Sequence, residues 1–383
     1  MEKFSRGKSA IVGAATYGIG EAPGMSSLDL GTRAALLALD DAGLKLADVD
    51  ALFVCTPDDA LSGLSAAEYL GIQPKFTENN RTGGSAFFSH AIVAALMLEA
   101  GYCDTALIMY GSNQRTGHGG LTSMRRASPY ELPYKALNPL SSYALAAARH
   151  MHEYGTTREQ LAEVAVSARK WANLNPEAFA RGDLSIEDCL KSRIVSSPLS
   201  ARDCCLITDG AAAVVMTRAD RARSIVKDPV YLLGAASATW YSNIDQADDL
   251  TVTSAKESGE RAFALAGITP KDVDVVELYD AFTINTILFL EDLGFCKKGE
   301  GGAFVQGGRI APGGALPVNT NGGGLSCCHP GMYGLFTMVE SCVQLRGRGG
   351  DRQIKGAEIA VAHANGGTLS SQATMVLGSA ATV

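Results

Sequence analysis

Two segments of the chain carry side chains that can transfer protons. Tyr279 and Asp280 come directly after the apolar run Val-Val-Glu-Leu, where a strand is predicted to end. Polar residues at strand ends in open α/β sheets line the ligand crevice. His329 follows Cys328 in a Cys-His-Pro-Gly string, which we interpret as a helix start, and its imidazole can act as acid or base near neutral pH. These four residues are candidates for catalysis.

Glycine clusters recur in both halves of the sequence. Thr82-Gly-Gly-Ser85 precedes one predicted helix and Gly322-Gly-Gly-Leu-Ser326 precedes another. Backbone N–H groups at helix N-termini stabilise negative charge, so the two clusters together favour one shared anion-stabilising site, although simple tight turns are an alternative. His363, Asn365 and Gly366 follow the last predicted apolar strand and form a third polar strand end.

An internal duplication organises these segments. Ile-Val-Gly-Ala-Ala-Thr at 11–16 recurs as Leu-Leu-Gly-Ala-Ala-Ser at 232–237, and Asn-Arg-Thr-Gly-Gly at 80–84 recurs as Asn-Thr-Asn-Gly-Gly at 319–323. Hydrophobic periodicity predicts strand, helix, strand, helix and strand in each half. The first half would have strands at about 8–15, 51–55 and 106–110, with helices at 28–42 and 85–100.

Alternation of strands and helices favours mainly parallel sheets covered by helices. We predict an N-terminal half at 1–228 and a C-terminal half at 229–383. A region at about 113–200 reads as an insertion with its own helices, which commonly supplies walls of a substrate pocket.

Composition excludes several classes of function. The chain has 383 residues, 46% of them hydrophobic, and a formal net charge of −7, which argues against binding to nucleic acid or to an anionic membrane surface. The N-terminus shows neither a secretory signal nor a membrane span, so we expect a cytoplasmic protein. The nine cysteines show no CxxC spacing, and we expect no metal site.

Three longer strings are distinctive: Asp203-Cys-Cys-Leu-Ile-Thr-Asp-Gly-Ala-Ala-Ala213, Leu278-Tyr-Asp-Ala-Phe-Thr283 and Leu290-Glu-Asp-Leu-Gly-Phe-Cys296. They resemble strings of sterol-carrier-protein-type thiolases and of the thiolase-like aldolases of steroid side-chain breakdown. The resemblance spans essentially the whole chain. It implies the α/β thiolase fold, with two duplicated βαβαβ-type domains in α-β-α-β-α layers, and an acyl-coenzyme A thioester as substrate without a further cofactor.

The chain departs from an ordinary thiolase where that family carries its catalytic cysteines. Arg81 stands at the expected nucleophile, with Thr82 and Ser85 as the nearest hydroxyls, and Ala-Asn365-Gly replaces the family's Cys-x-Gly. A guanidinium can be neither acylated nor deprotonated at working pH, which disfavours thiolysis. Retro-aldol cleavage of a β-hydroxyacyl-CoA needs no acyl-enzyme, only a base and donors for the enolate.

The resemblance implies roles for the candidate residues. Tyr279 would take the proton of the β-hydroxyl, while His329 and backbone N–H groups would hold the enolate oxygen. The aldolases carry a second tyrosine near the third motif, where this chain has Cys328-His329, so His329 would also protonate the enolate carbon. The candidate catalytic residues are Tyr279, Asp280, Cys328 and His329, and the candidate oxyanion or pocket residues are Arg81, Thr82, Ser85, Gly323, His363, Asn365 and Gly366.

Two other interpretations stay open. Cys328, Cys327 or Ser85 could serve as a relocated nucleophile beside His329 in acyl transfer. Alternatively, the chain could be a non-catalytic acyl-CoA-binding subunit of a complex. The resemblance implies a homodimer in either case, and a small partner protein with an OB-fold and a zinc ribbon.

Overall fold

The computed structural model describes residues 6–119 and 128–383. The strands of the main sheet are β1 (Ser9–Gly20), β2 (Ala51–Val54), β3 (Phe76–Glu78), β4 (Ala106–Ser112), β7 (Asp209–Arg218), β8 (Val230–Thr239), β9 (Val275–Leu278), β10 (Ile359–Gly366) and β11 (Ser371–Gly378), and β5 (Ile194–Ser196) pairs separately with β6 (Leu199–Ser200). The helices are α1 (Ser27–Asp41), α2 (Ser62–Leu70), α3 (Ala86–Glu99), α4 (Leu140–Tyr154), α5 (Arg158–Asn173), α6 (Ile186–Lys191), α7 (Ala219–Ile225), α8 (Ala255–Ala266), α9 (Thr283–Asp292), α10 (Gly301–Phe304) and α11 (Gly334–Leu345).

The two halves contribute matching sets of strands to one continuous sheet. The strand order is β3-β2-β4-β7-β1-β8-β11-β10-β9. Only two residue pairs, Ala10 with Tyr231 and Ile11 with Val230, join β1 to β8 at the centre. Outward from that junction, β7, β4 and β2 correspond to β11, β10 and β9, and a single parallel bridge between Val276 and Val318 occupies the place of β3 in the second half.

Helices separate the two halves of the sheet into layers. α3 is apolar on all sides and contacts strands of both halves, as does α11, so these two helices form the central layer. α1 packs on β1, β4 and β7, and α8 packs on β8 and β11, which places one helix layer on each outer face. The predicted α-β-α-β-α packing is therefore confirmed.

The duplicated strands and helices lie where their periodicity predicts them, but the sheets are mixed. β4 pairs with β2 in parallel and with β7 antiparallel, and β10 likewise pairs with β9 in parallel and with β11 antiparallel. The prediction of mainly parallel sheets was wrong because each half ends in an additional strand that runs back against its neighbour. The predicted boundary between residues 228 and 229 falls in the short link between α7 and β8.

The inserted region contributes helices to the neighbourhood of the site. α4 contacts α9, and α5 contacts both α9 and the turn at 323–327. α5 begins after Thr157, whose side chain accepts a hydrogen bond from the Gln160 N–H while the Gln160 side chain accepts one from the Thr157 N–H, a capping box that fixes the start of the helix.

Candidate active site

Tyr279 is placed by the end of β9 and by a glycine. Its backbone N–H donates to the His363 carbonyl, 3.0 Å away, which extends the pairing of β9 with β10. Its ring lies against Gly84 in the turn before α3, so closely that a Cβ atom on Gly84 would be 2.1 Å from Tyr279 Cε2. The second half therefore supplies the phenol, and the first half supplies the glycine that leaves room for it.

Tyr279 and His329 form a hydrogen-bonded pair. The Tyr279 hydroxyl lies 3.1 Å from His329 Nε2 and 3.2 Å from the Gly331 carbonyl oxygen. The two rings meet edge to face, with centroids 5.4 Å apart. Both side chains are buried, and His329 Nδ1 has no hydrogen-bond partner among the described residues.

Burial keeps both members of this pair neutral. It raises the pKa of Tyr279 well above its ordinary value of 10, and it lowers the pKa of His329 to about 4. At neutral pH the pair is therefore a phenol beside an uncharged imidazole. A proton can pass between Tyr279 and His329 across one hydrogen bond of ordinary length.

Residues in or next to β4 and β7 of the first half hold the turn that carries His329. The Tyr110 hydroxyl donates to the Pro330 carbonyl and accepts from the Met332 N–H at 3.2 Å. Gln114 Nε2 donates to the His329 carbonyl at 2.6 Å, and Thr208 Oγ1 accepts from the His329 N–H at 3.1 Å. His329 thus lies in a clamped turn before α11, and the interpretation of this segment as a helix start was wrong.

Asp280 supports the second glycine turn. Its Oδ1 accepts a hydrogen bond from the Gly324 N–H at 2.5 Å, and its Oδ2 accepts a longer one from Leu325 at 3.4 Å. A Cβ atom on Gly323 would lie 2.1 Å from Asp280 Oδ2. Burial raises the pKa of Asp280 to about 7, against these hydrogen bonds, which lower it. Through these two hydrogen bonds Asp280 holds the turn.

The first glycine turn meets the end of β10. Thr82 Oγ1 lies 2.9 Å from Ser85 Oγ, and Ser85 Oγ donates to Ser371 Oγ at 3.0 Å. A Cβ atom on Gly366 would be 1.9 Å from the Thr82 carbonyl oxygen, so only glycine fits there. Arg81 points elsewhere, because its guanidinium donates to the Thr56 carbonyl at 2.7 Å.

His363 and Asn365 belong to a chain of buried hydrogen bonds. His363 Nδ1 lies 2.9 Å from Thr374 Oγ1, and its Nε2 lies 3.0 Å from Gln372 Oε1. Gln372 Nε2 donates to Asn365 Oδ1, and Asn365 Nδ2 donates to the Tyr143 hydroxyl, each at 2.8 Å. Both ring nitrogens of His363 are therefore engaged inside the protein, whereas Asn365 leads to Tyr143 in the inserted region.

The Cys328 thiol beside His329 is a poor nucleophile, because burial raises its pKa well above the ordinary value of 9. Cys327 Sγ accepts a hydrogen bond from Asn175 Nδ2 at 3.6 Å. The thiolate is the reactive form of cysteine. The geometry instead brings together Tyr279, His329, Gly84 and Asn365.

Two further features bear on the class of site. The described ranges hold no group of three or more His, Cys, Asp and Glu side chains placed to bind a metal ion. In the same part of the chain, no helix has both the length and the apolar character to cross a membrane.

Comparison with known proteins gives consistent relatives. A family model described as "Thiolase C-terminal domain-like" matches residues 236–379. The chain is 37% identical over 374 residues to an acetyl-CoA acetyltransferase of Methanothermobacter thermautotrophicus, covering 94% of this chain and 96% of the relative. It is 35% identical over 360 residues to a 17-hydroxy-3-oxo-4-pregnene-20-carboxyl-CoA lyase of Mycobacterium tuberculosis, covering 89% of this chain and 92% of that protein.

A solved structure matches nearly the whole fold. The solved structure of an Ltp2-ChsH2(DUF35) aldolase superposes with a TM-score of 0.89 at 31% identity, covering 98% of both chains. The relatives therefore include an acyltransferase, a lyase and an aldolase, all of comparable length to this chain.

Proposed function

The chain belongs to the thiolase superfamily, and we propose that it cleaves β-hydroxyacyl-CoA thioesters by a retro-aldol reaction. The observation that carries this proposal is the Tyr279–His329 pair, whose hydrogen bond of 3.1 Å links a phenol to a neutral imidazole. A retro-aldol reaction removes one proton from the β-hydroxyl and returns one to the α-carbon. A two-residue proton relay is sufficient for that chemistry.

The relay conserves protons. In the starting state His329 is the neutral tautomer with its hydrogen on Nδ1. The Tyr279 hydroxyl rotates its hydrogen away from the Gly331 carbonyl oxygen and transfers it to His329 Nε2, while Tyr279 takes up the proton of the β-hydroxyl. The C–O bond becomes a carbonyl, the Cα–Cβ bond breaks, and its electron pair forms the thioester enolate. The proton then returns through Tyr279 to the α-carbon, which releases a ketone or aldehyde and a shorter acyl-CoA.

This route avoids a free phenolate. Burial raises the pKa of Tyr279 well above 10, so its phenolate is scarcely populated at neutral pH. His329 remains uncharged because burial lowers its pKa to about 4, and it can therefore accept the displaced hydrogen. We propose Tyr279 and His329 as the catalytic residues, with Asp280 holding the glycine turn beside them.

Acyl transfer by a relocated nucleophile is the second candidate, because one relative is an acetyl-CoA acetyltransferase. The local geometry gives it less support. Cys328 is a buried thiol with a raised pKa, and Ser85 Oγ is hydrogen-bonded to Ser371 and lies beneath the Gly366 backbone. The third candidate, a non-catalytic acyl-CoA-binding subunit, does not account for the buried Tyr279–His329 pair.

The relatives suggest the substrate and partner. A lyase relative acts on a steroid CoA thioester that its name describes as 17-hydroxylated, and the aldolase structure includes a ChsH2(DUF35) component. We propose a steroid-like or comparably bulky β-hydroxyacyl-CoA as the substrate, and a small OB-fold and zinc-ribbon protein as the partner. A homodimer in the cytoplasm, with no cofactor beyond the CoA thioester substrate, completes the proposal.

The test supplies matched substrates and reads products by mass spectrometry. The purified chain, alone and with an OB-fold partner, is incubated with 17-hydroxy-3-oxo-4-pregnene-20-carboxyl-CoA and simpler β-hydroxyacyl-CoAs, without free CoA. A parallel set contains β-ketoacyl-CoAs plus free CoA. A carbonyl product and a shorter acyl-CoA in the first set support the proposal, whereas turnover confined to the second set would replace it with thiolase chemistry.

A further inference from the structure

The inserted region contributes a buried phenol to the candidate site. Tyr143 lies in α4, is 2% exposed, and stacks on Phe282 with ring centroids 4.3 Å apart. Phe282 ends the Tyr-Asp-Ala-Phe segment that begins with Tyr279. Tyr143 is therefore packed against the loop that carries the proposed proton-transfer residue.

A chain of fixed amides determines which way the Tyr143 hydrogen bond runs. Gln372 Oε1 faces His363 Nε2 at 3.0 Å, so Gln372 presents its amino group to Asn365 Oδ1 at 2.8 Å. Asn365 must then present its own amino group to Tyr143, also at 2.8 Å. Tyr143 accepts this hydrogen bond, and the Asn285 side chain and the Leu369 backbone also lower its pKa as donors would, so none of these three neighbours uses the hydrogen of Tyr143.

Tyr143 also lies close to Tyr279. A Cβ atom on Gly84 would be 2.1 Å from Tyr279 Cε2 and 2.8 Å from the Asn365 carbonyl oxygen, so both residues touch the same glycine. Burial is the main cause that raises the pKa of Tyr279, and the neighbouring Tyr143 is the next largest. Tyr143 is thus bound to the side chain of Asn365, the residue whose backbone meets Tyr279 at Gly84.

The partners of the two phenols indicate different tasks. Tyr279 has an imidazole that can take its proton, whereas Tyr143 has an amide donor, Asn365, which cannot. A hydroxyl that accepts an N–H hydrogen bond is polarised and becomes a better donor itself. Burial raises the pKa of Tyr143 to about 12, which keeps this donor protonated.

We infer that Tyr143 is a further catalytic residue, which donates a hydrogen bond to the thioester oxygen as negative charge develops on the enolate. This role rests on the proposed retro-aldol function for its substrate, but the enolate is common to aldol and Claisen chemistry. It gives His363 and Gln372 a purpose as positioning residues, since they orient the Asn365 amide. It also assigns an oxyanion donor that leaves His329 free for proton transfer.

The test compares Tyr143→Phe with Tyr231→Phe. Both replacements delete one buried tyrosine hydroxyl in a regular element, and the Tyr231 hydroxyl, which accepts from Arg223 Nε at 3.1 Å, lies in β8. Phenylalanine at 143 keeps the ring that stacks on Phe282. Two rates are measured: β-hydroxyacyl-CoA cleavage, and exchange of the α-hydrogens of acetyl-CoA and propionyl-CoA with D2O, read by mass spectrometry.

We expect Tyr143→Phe to lower kcat for cleavage and the exchange rate together by about 10²- to 10³-fold, the usual effect of removing one oxyanion donor, with little change in KM. Tyr231→Phe should leave both rates unchanged while lowering the melting temperature about as much as Tyr143→Phe does. Normal exchange in Tyr143→Phe overturns the inference, whether or not cleavage is slowed. A wild-type protein that exchanges but cleaves only with free CoA refutes the retro-aldol function and still tests Tyr143 through exchange.

Discussion

Replacing Gly84 with alanine tests the proposed position of Tyr279 without changing any group that takes part in chemistry. The new methyl carbon would lie 2.1 Å from Tyr279 Cε2. Carbon atoms in contact require about 3.5 Å, so the ring must retreat by about 1.4 Å. Gly84 does not adopt the left-handed conformation, so the cost of the substitution comes from the contact with Tyr279 and from a lesser one with the Asn365 carbonyl oxygen at 2.8 Å.

The displacement is large compared with the hydrogen bond it disturbs. The Tyr279 hydroxyl lies 3.1 Å from His329 Nε2, and a shift of that size can lengthen this contact beyond hydrogen-bond range. Misplacement of a reacting group by about 1 Å costs about 10²-fold in rate, equivalent to about 2.7 kcal/mol of activation free energy. Overpacking of the core should lower the free energy of unfolding by about 1–3 kcal/mol.

The assay measures kcat for β-hydroxyacyl-CoA cleavage together with thermal unfolding. Gly259→Ala is the matched control, since its methyl group would meet Leu293 Cδ2 at 2.6 Å on the outer helix α8. The control should lose stability and keep its turnover, whereas Gly84→Ala should lose both. A folded Gly84→Ala variant with unchanged kcat would refute the reasoning that Tyr279 acts from this position.

Three further predictions concern individual side chains. Tyr279→Phe should lower kcat by about 10²- to 10⁴-fold, the range for loss of a general acid–base group, while circular dichroism shows the wild-type fold; wild-type turnover would exclude the relay. Burial raises the pKa of Asp280 from 3.8 to about 7, so its contribution to stability is present at low pH and is lost as the pH rises through that interval. The free energy of unfolding, measured with urea, should therefore fall between pH 4 and pH 7 in the wild type and fall less steeply in Asp280→Asn. Equal dependence on pH in the two proteins would contradict the assigned pKa. Cys328→Ala should keep its cleavage rate because the buried thiol is not ionised, and a large loss of turnover would restore Cys328 as a nucleophile.

The sequence was sufficient to predict the duplicated core because its signals are local and repeated. The β1–α1–β2 and α3–β4 segments recur as β8–α8–β9 and α11–β10, and their periodicity predicts the type of each element. The additional strands were missed. β7 contains the run Ala-Ala-Ala-Val-Val, whose small residues give neither the alternation of a half-buried strand nor a clear helical face.

The predicted site residues divide according to whether their contacts are local. Tyr279 and His329 could be proposed from the sequence because each occupies a recognisable motif. Tyr110 and Gln114, which hold the turn that carries His329, lie more than 200 positions earlier in the sequence. No spacing rule connects them to that turn. The same limit applies to Tyr143, which reaches the site only because α4 packs against the Phe282 loop.

The most direct test of the central claim is whether an acyl-enzyme forms. The protein is mixed with a β-hydroxyacyl-CoA that it turns over, quenched during the steady state, and examined by intact-protein mass spectrometry while the released products are quantified. The account predicts a chain of unmodified mass, with equal amounts of carbonyl product and shortened acyl-CoA and no need for free CoA. A chain that gains the mass of an acyl group, and that needs CoA to lose it, would contradict the account.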